Sequence, residues 1–134
     1  MKRSILVFVV AMASAGNAAE TSAPVSELNR TGYPTVAAAL DGLRAKPGAR
    51  ETAGKAWTTI QDMEGENIVL WSFTVPSHPA HPSVVKRTLQ KKEDGYYIDM
   101  NILCEASDKA ACAGLVPTFQ ALNEQVRRSL AEGK

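Results

Sequence analysis

The sequence predicts an α+β domain: a four-stranded antiparallel meander with an N-terminal helix and a C-terminal helix packed on its apolar face. Two hairpin signals support the sheet, because a loop around Gly65 and the Asp94-Gly95 dipeptide each lie between runs of strand-forming residues. Amphipathic runs that follow Thr35 and Pro117 predict the helices. Segregated helices and strands of this kind are typical of one small α+β domain.

The first residues predict export. Residues 1–19 begin with Lys2 and Arg3, continue with an apolar stretch over Ile5–Ala13, and end in small residues. This order is typical of a secretory signal peptide, and the apolar stretch is too short to span a bilayer. We expect cleavage after Ala18 or Ala19, with a competing site at Ala13-Ser14-Ala15, followed by a polar, flexible leader over 20–32.

Size and charge limit the classes of function. Removal of 19 of the 134 residues leaves 115, which suits one domain over 33–134. The same cleavage removes two of the 15 basic residues, so that 13 stand against 14 acidic residues. A near-neutral chain lacks the strongly basic surface that binds nucleic acid. We therefore expect no nucleic-acid partner and no stable membrane insertion.

The first predicted element of the domain is a helix. Thr35 is a suitable N-cap, and Pro47-Gly48 ends the helical pattern. Four apolar positions share one face of this helix: Val36, Ala39, Leu40 and Leu43.

Two hairpins follow. Residues 55–63 and 67–75 form the first, and 83–93 and 96–104 form the second. We expect the Asp-Gly pair of the second hairpin to form a tight turn with positive φ at both residues. Apolar residues alternate with polar ones along the last strand, which predicts one buried face.

The C-terminal region is predicted to be helical in two pieces. Asp108 caps a short helix through Cys112, and Pro117 suits the first turn of a longer one. The apolar stripe of the longer helix consists of Phe119, Leu122, Val126 and Leu130.

Cys104 and Cys112 are the two cysteines of the chain. An exported domain favours a structural disulfide between them, and the absence of a C-x-x-C pair argues against redox catalysis. Closure of so short a loop contributes about 2.5 kcal/mol by the chain-entropy relation.

The segment TVPSHPAHPSVVKR, residues 74–87, repeats proline and histidine at intervals of three. Three prolines favour a polyproline II conformation. That helix has three residues per turn, so it would place His78 and His81 on one face about 9 Å apart. Convergence of two imidazoles on one zinc ion is difficult at this separation.

Three interpretations of this segment remain open. It is a rigid connector between the hairpins, a preformed docking surface for a protein, or a weak copper or nickel site. The docking surface would consist of His78, Pro79 and His81, together with Tyr97 on the polar face of the last strand. The metal alternative would use His78 and His81 alone.

Enzyme signatures are absent. Ser77 or Ser83 beside a histidine lacks a nucleophile elbow. The carboxylates that could pair for glycoside cleavage lie in or near predicted turns, where acidic residues are usually solvated: Asp62, Glu64, Glu66, Glu93 and Asp94. The basic residues of 86–92 would meet an acidic partner or, on an edge strand, discourage aggregation. We expect a non-enzymatic protein without a cofactor, with hydrolase activity as a remote alternative.

Three stretches carry a resemblance to a known group. LWSFTVPSHPAHPSVVKR, YPTVAAALDGLRAKPG and LCEASDKAACAGLVPTFQALNEQ resemble small exported proteins of proteobacteria that have no established function. The resemblance extends from Tyr33 to Gln125 and implies a Gram-negative periplasm. It brings no catalytic residue, ligand or partner.

Together these observations predict a periplasmic protein-binding module of the inhibitor, immunity or envelope-accessory type. Its partner would be a protein of the cell envelope. Metal binding through His78 and His81 is the alternative function.

Overall fold

The structure, a computed structural model, describes residues 29–133. The predicted signal peptide and the predicted leader up to residue 28 lie outside these residues. Within the described part, no helix is both long and apolar enough to cross a bilayer.

The chain folds into an antiparallel sheet with two helices, which confirms the α+β class. The sheet has five strands in the order β1-β2-β3-β4-β5, so the expectation of four strands is wrong. The elements are α1 (Val36–Arg44), β1 (Arg50–Thr52), β2 (Trp57–Glu64), β3 (Asn67–Thr74), β4 (Ser83–Lys92), β5 (Gly95–Cys104) and α2 (Lys109–Glu132).

The additional strand, β1, has no sequence signal of its own. Its three residues are polar and exposed, and they pair antiparallel with the end of β2, with Glu51 opposite Ile60. It forms because β2 offers unpaired backbone groups to a chain that has just left α1.

Helix α1 begins as the sequence predicts. The Thr35 side chain accepts a hydrogen bond from the Ala38 amide at 3.0 Å. Val36, Ala39 and Leu43 are its buried residues. After the helix, Gly48 takes a positive φ of 85°, which a glycine adopts without steric cost.

The two predicted hairpins are present, but the second turn differs in detail. Lys92 pairs with Gly95, so Glu93 and Asp94 are the two turn residues. Gly95 has a φ of 137°, and among the described residues positive φ occurs at glycines alone. The expectation of positive φ at Asp94 is therefore wrong, since the turn lies one residue earlier than the sequence suggested.

The helices lie on opposite faces of the sheet, so the expected packing of both on one face is also wrong. Successive side chains of a strand point to opposite faces. Val84 of β4 packs in the α1 cluster and Val85 packs in the α2 cluster. The α1 cluster consists of Val36, Ala39, Leu43, Ile60, Val69, Trp71, Phe73 and Val84. The buried residues of the α2 cluster are Ala80, Val85, Leu115 and Phe119.

The last residues of the predicted leader belong to the domain. Thr31 is 2% exposed, and its hydroxyl donates to Asn29 Oδ1 at 2.7 Å. The Asn29 amide in turn donates to the Tyr33 carbonyl at 2.9 Å. This local network orders 29–32 before α1 begins.

The C-terminal region is one continuous helix rather than two. Asp108 caps it by accepting hydrogen bonds from the Ala110 and Ala111 amides. Pro117 lies inside α2, not in its first turn. The buried side chains of Leu115 and Phe119 flank the proline, and their packing offsets the backbone hydrogen bond that proline cannot donate.

The predicted disulfide joins the last residue of β5 to the first turn of α2. The Cα atoms of Cys104 and Cys112 are 5.8 Å apart. The bond therefore fixes the start of α2 beside the end of β5.

We expect the Cys104→Ser/Cys112→Ser double variant to fold but to lose about 2.5 kcal/mol of unfolding free energy, because its unfolded chain is no longer restrained by the short loop. Urea denaturation of the wild type and of the variant measures the difference. Wild type with a reduced disulfide is the matched control and should unfold with the variant. A loss below about 0.5 kcal/mol would contradict this account.

Candidate functional site

The proline-histidine connector between β3 and β4 consists of two successive turns. The His78 amide donates to the Val75 carbonyl at 2.9 Å, and the His81 amide donates to the His78 carbonyl at 3.0 Å. The His81–Pro82 peptide is cis. The expectation of a polyproline II helix with stacked histidines is therefore wrong, since that helix has no internal hydrogen bonds.

The Nδ1 atom of each histidine forms a hydrogen bond with a backbone group. The Ala80 amide donates to His78 Nδ1 at 2.9 Å, so this nitrogen accepts and the proton of the neutral ring is on Nε2. His81 Nδ1 lies 2.9 Å from the Thr74 carbonyl oxygen, which can only accept, so here Nδ1 donates. When both rings are neutral, these contacts require opposite tautomers.

Ala80 anchors the connector to the protein core. Its side chain is fully buried with Phe119 of α2, while Pro79 and His81 are exposed. The Trp57 ring lies 4.8 Å from Phe119 and 6.4 Å from His78, measured between centroids. The connector is thus rigid and aromatic at its base, which keeps both the rigid-connector and the docking interpretations open.

The tautomers bear on the metal alternative. A metal ion binds the nitrogen that carries a lone pair. His81 offers Nε2, but the lone pair of His78 is used by the Ala80 amide, so ligation by both rings would break that hydrogen bond. Across residues 29–133, no group of three His, Cys, Asp or Glu side chains could hold a metal ion.

The residues of the remote hydrolase hypothesis have structural partners. Ser83 is fully buried, and its hydroxyl and amide both contact the Thr74 hydroxyl. The two cysteines form the disulfide. Ser83 and the two cysteines are therefore not presented as free nucleophiles, whereas Ser77 is exposed on the connector.

Tyr97 lies on β5 near the second hairpin and is 42% exposed. Its hydroxyl donates a hydrogen bond to the Asp94 carboxylate. This bond raises the pKa of Tyr97 above its ordinary value and lowers the pKa of Asp94. The Lys92 ammonium lies 5.0 Å from the centre of the Tyr97 ring.

The structure does not bring Tyr97 together with the connector. Tyr97 pairs with Gln90, whereas Ser83, the first residue after the connector, pairs with Cys104. Seven residues of β4 separate the two places, which corresponds to about 23 Å. His78, Pro79 and His81 thus share one end of the sheet, and Tyr97 lies at the other.

The two edges of the sheet differ. β1 is a three-residue edge that carries Arg50 and Glu51, and short charged edges resist pairing with other strands. β5 is a ten-residue edge with one charged residue, Asp99. The lysines expected to protect an edge lie on β4, which is paired on both sides.

A groove runs between β5 and α2, and we call it the β5–α2 groove. On the strand side it is lined by Tyr97, Ile98 and Asp99 of β5 and by Gln90 of β4. On the helix side it is lined by Gln120, Asn123, Glu124 and Arg127. Its volume is about 600 Å³, and it is largely open to solvent rather than enclosed.

The groove continues toward the tip of the second hairpin. A second cavity of about 690 Å³ shares Tyr97 and Arg127 with it and extends to Lys91 and Leu130. The two cavities together follow the first half of β5 and the last turns of α2.

Comparisons with protein-family models, with curated proteins and with solved structures gave no match.

The helix residues of the groove were missed by sequence reasoning. Glu124 and Arg127 form an ordinary ion pair at 3.0 Å on an exposed helix face, a pattern that predicts solvation only. Tyr97 was the one groove residue with a signal, since it is an aromatic residue at a polar position of its strand.

We expect the Asp94→Asn variant to lower the pKa of Tyr97 toward its ordinary value, because it removes the carboxylate that accepts the Tyr97 hydrogen bond and, with it, the negative charge that opposes the tyrosinate. Titration of the Tyr97 ring by NMR measures this shift. Asp99→Asn, which removes a carboxylate from the same strand, is the matched control and should leave the Tyr97 pKa unchanged. The same Tyr97 pKa in wild type and Asp94→Asn would show that the hydrogen bond is absent in solution.

Proposed function

We propose that this chain is a non-enzymatic protein-binding domain of the periplasm that binds an extended segment of a partner protein by strand addition to β5. It would act as an inhibitor, immunity or envelope-accessory protein. The contrast between the short, charged edge at β1 and the long, nearly uncharged edge at β5 carries this proposal.

The chemistry of an edge strand specifies its occupant. About half of the backbone N–H and C=O groups of an edge strand point away from its single neighbour, which is roughly five residues of β5. An extended polypeptide is the ligand whose donors and acceptors repeat at the same spacing. The occupant is therefore argued from the backbone, without reference to any side-chain sequence.

The position of helix α2 favours a single added strand as the occupant of the β5 edge. Its residues Gln120 and Glu124 line the space beside β5, so that the edge opens into a groove rather than into free solvent. A groove between an edge strand and a helix accepts one extended segment and offers side-chain contacts on the helix side. Self-association through β5 is the competing outcome, and the oligomeric state of the free protein tests it.

The periplasmic location rests on the predicted signal peptide and is supported by the Cys104–Cys112 disulfide, which persists in oxidising compartments. The connector at the other end of the sheet remains a separate hypothesis for a second contact.

The test uses a linear peptide selected from a phage-displayed library against the mature protein. We expect a version with N-methyl groups at three alternate positions to bind about a hundredfold more weakly, because three backbone hydrogen bonds of about 1 kcal/mol each are lost. N-methylation at the three intervening positions is the matched control and should have little effect. Equal affinity of both methylated peptides would contradict strand addition.

Variants locate the site. We expect Tyr97→Ala to weaken binding of the selected peptide about tenfold, because it removes an aromatic wall of the groove. Met63→Ala is the control, since Met63 is similarly exposed, at 49%, and does not line the groove. Isothermal calorimetry gives both affinities, and an equal loss in the two variants would place the peptide elsewhere.

A further inference from the structure

Arg87 is a buried cation next to the β5–α2 groove. It lies on β4 between Leu70 of β3 and Met100 of β5, on the face that α2 covers. The side chain is 6% exposed, and its Cζ atom lies 5.0 Å from the centre of the Phe119 ring.

The guanidinium group is only weakly hydrogen-bonded. Nη2 donates to the Ser72 hydroxyl at 3.3 Å, and Nη1 donates to Asn123 Oδ1 at 3.5 Å. The buried Nε atom has no hydrogen-bond partner in the described part of the chain. An arginine side chain has five N–H donors, so most of the donor capacity of Arg87 is unused.

No counter-ion among residues 29–133 compensates this charge, because none of their ion pairs includes Arg87. Burial lowers its pKa from the ordinary value, but an arginine in a protein remains protonated. A buried charge without an opposite charge is strongly unfavourable, so the site is electrostatically complementary to an anion.

Asn123 connects Arg87 to the groove. Its side chain accepts from Arg87 and also lines the groove between α2 and β5. The guanidinium therefore lies one side chain behind the helix side of the groove, and a rotation of Asn123 about its side-chain bonds would open Nη1 to an occupant. The other cation of this part of the groove, Arg127, already contacts Glu124 at 3.0 Å.

We propose that the segment bound in the β5–α2 groove carries a carboxylate side chain that pairs with Arg87 after displacement of the Asn123 amide. This inference rests on the proposed function and deepens it, because it assigns an acidic residue to the partner. The carboxylate supplies the two acceptor oxygens that suit a guanidinium, and the low dielectric of the site strengthens the pair.

A buried water molecule is the competing partner for Nε. Water satisfies a donor but does not neutralise the charge. The two cases differ in one measurable respect: a carboxylate ligand would discriminate between a peptide with Glu and the same peptide with Gln, and a water molecule would not.

The experiment measures affinities of paired peptides. The peptide from the phage selection is synthesised with Glu or Gln at successive alternate positions, and each pair is titrated against the mature wild type, Arg87→Met and Arg128→Met. Met replaces Arg87 with an uncharged side chain of similar length. Arg128 is the matched control, because it is an exposed arginine of α2 that does not line the groove.

At one position we expect wild type and Arg128→Met to bind the Glu peptide about tenfold or more tightly than the Gln peptide. Arg87→Met should bind both peptides alike. It should also melt at the same temperature as wild type or higher, because the variant no longer carries the desolvation cost of an uncompensated buried charge. A preference for Glu that persists in Arg87→Met would overturn the inference.

Failure of the inference and failure of the proposed function are distinguishable. Equal binding of Glu and Gln peptides at every position, with strand addition intact, would refute the role of Arg87 alone. If no peptide binds at the groove, both the role of Arg87 and the proposed strand addition are refuted. If Arg87→Met does not fold, wild type is melted in acetate and in chloride at equal ionic strength: a higher melting temperature in acetate supports an anion site, and equal temperatures refute it.

Discussion

The burial of β4 on both faces is the constraint on which the rest of the structure depends. Val84 and Val85 are successive residues and both are fully buried, one against the α1 cluster and the other against the α2 cluster. A shift of one residue in the register of β4 would exchange these two faces. Because the two residues point to opposite faces and each packs against a different helix, the helices must lie on opposite sides of the sheet.

This arrangement determines which edge of the sheet is open. α1 is short and covers the face that includes Ile60 and Trp71, while the long α2 lies over the side of β5. The disulfide fixes the first turn of α2 at one end of β5, so the helix runs beside the edge rather than away from it. The groove beside β5 is thus a consequence of core packing, and its length follows from the lengths of β5 and α2.

Local signals predicted the local elements well. Thr35 is a cap because its hydroxyl meets a free amide, and the two hairpins form because their glycines adopt positive φ. The disulfide was predictable from the short separation of the two cysteines in the sequence and from the expectation of export. Each of these features depends on residues that are close in the sequence.

Features that depend on distant residues were not predictable. β1 has no alternation of apolar and polar residues, since its three residues are all polar. It is a strand because it pairs with β2. The prolines of the connector favoured an extended helix, but burial of Ala80 against Phe119 and the contacts of His81 with Thr74 closed it into turns. The alternation of apolar residues shows that Trp71 belongs to the apolar face of β3 and Met100 to the apolar face of β5. Only the pairing register of β3, β4 and β5 shows that these two residues lie on opposite faces of the sheet. The groove and the uncompensated charge of Arg87 depend on this tertiary arrangement.

Amide hydrogen exchange along β5 tests the central claim most directly. NMR of the mature protein, free and saturated with the selected peptide, resolves each amide from Gly95 to Cys104. The account predicts that alternate amides exchange rapidly in the free protein and slow at least tenfold in the complex, while those bonded to β4 are protected in both states. Unchanged exchange along β5 on peptide binding, or new protection confined to another part of the sheet, would contradict the account.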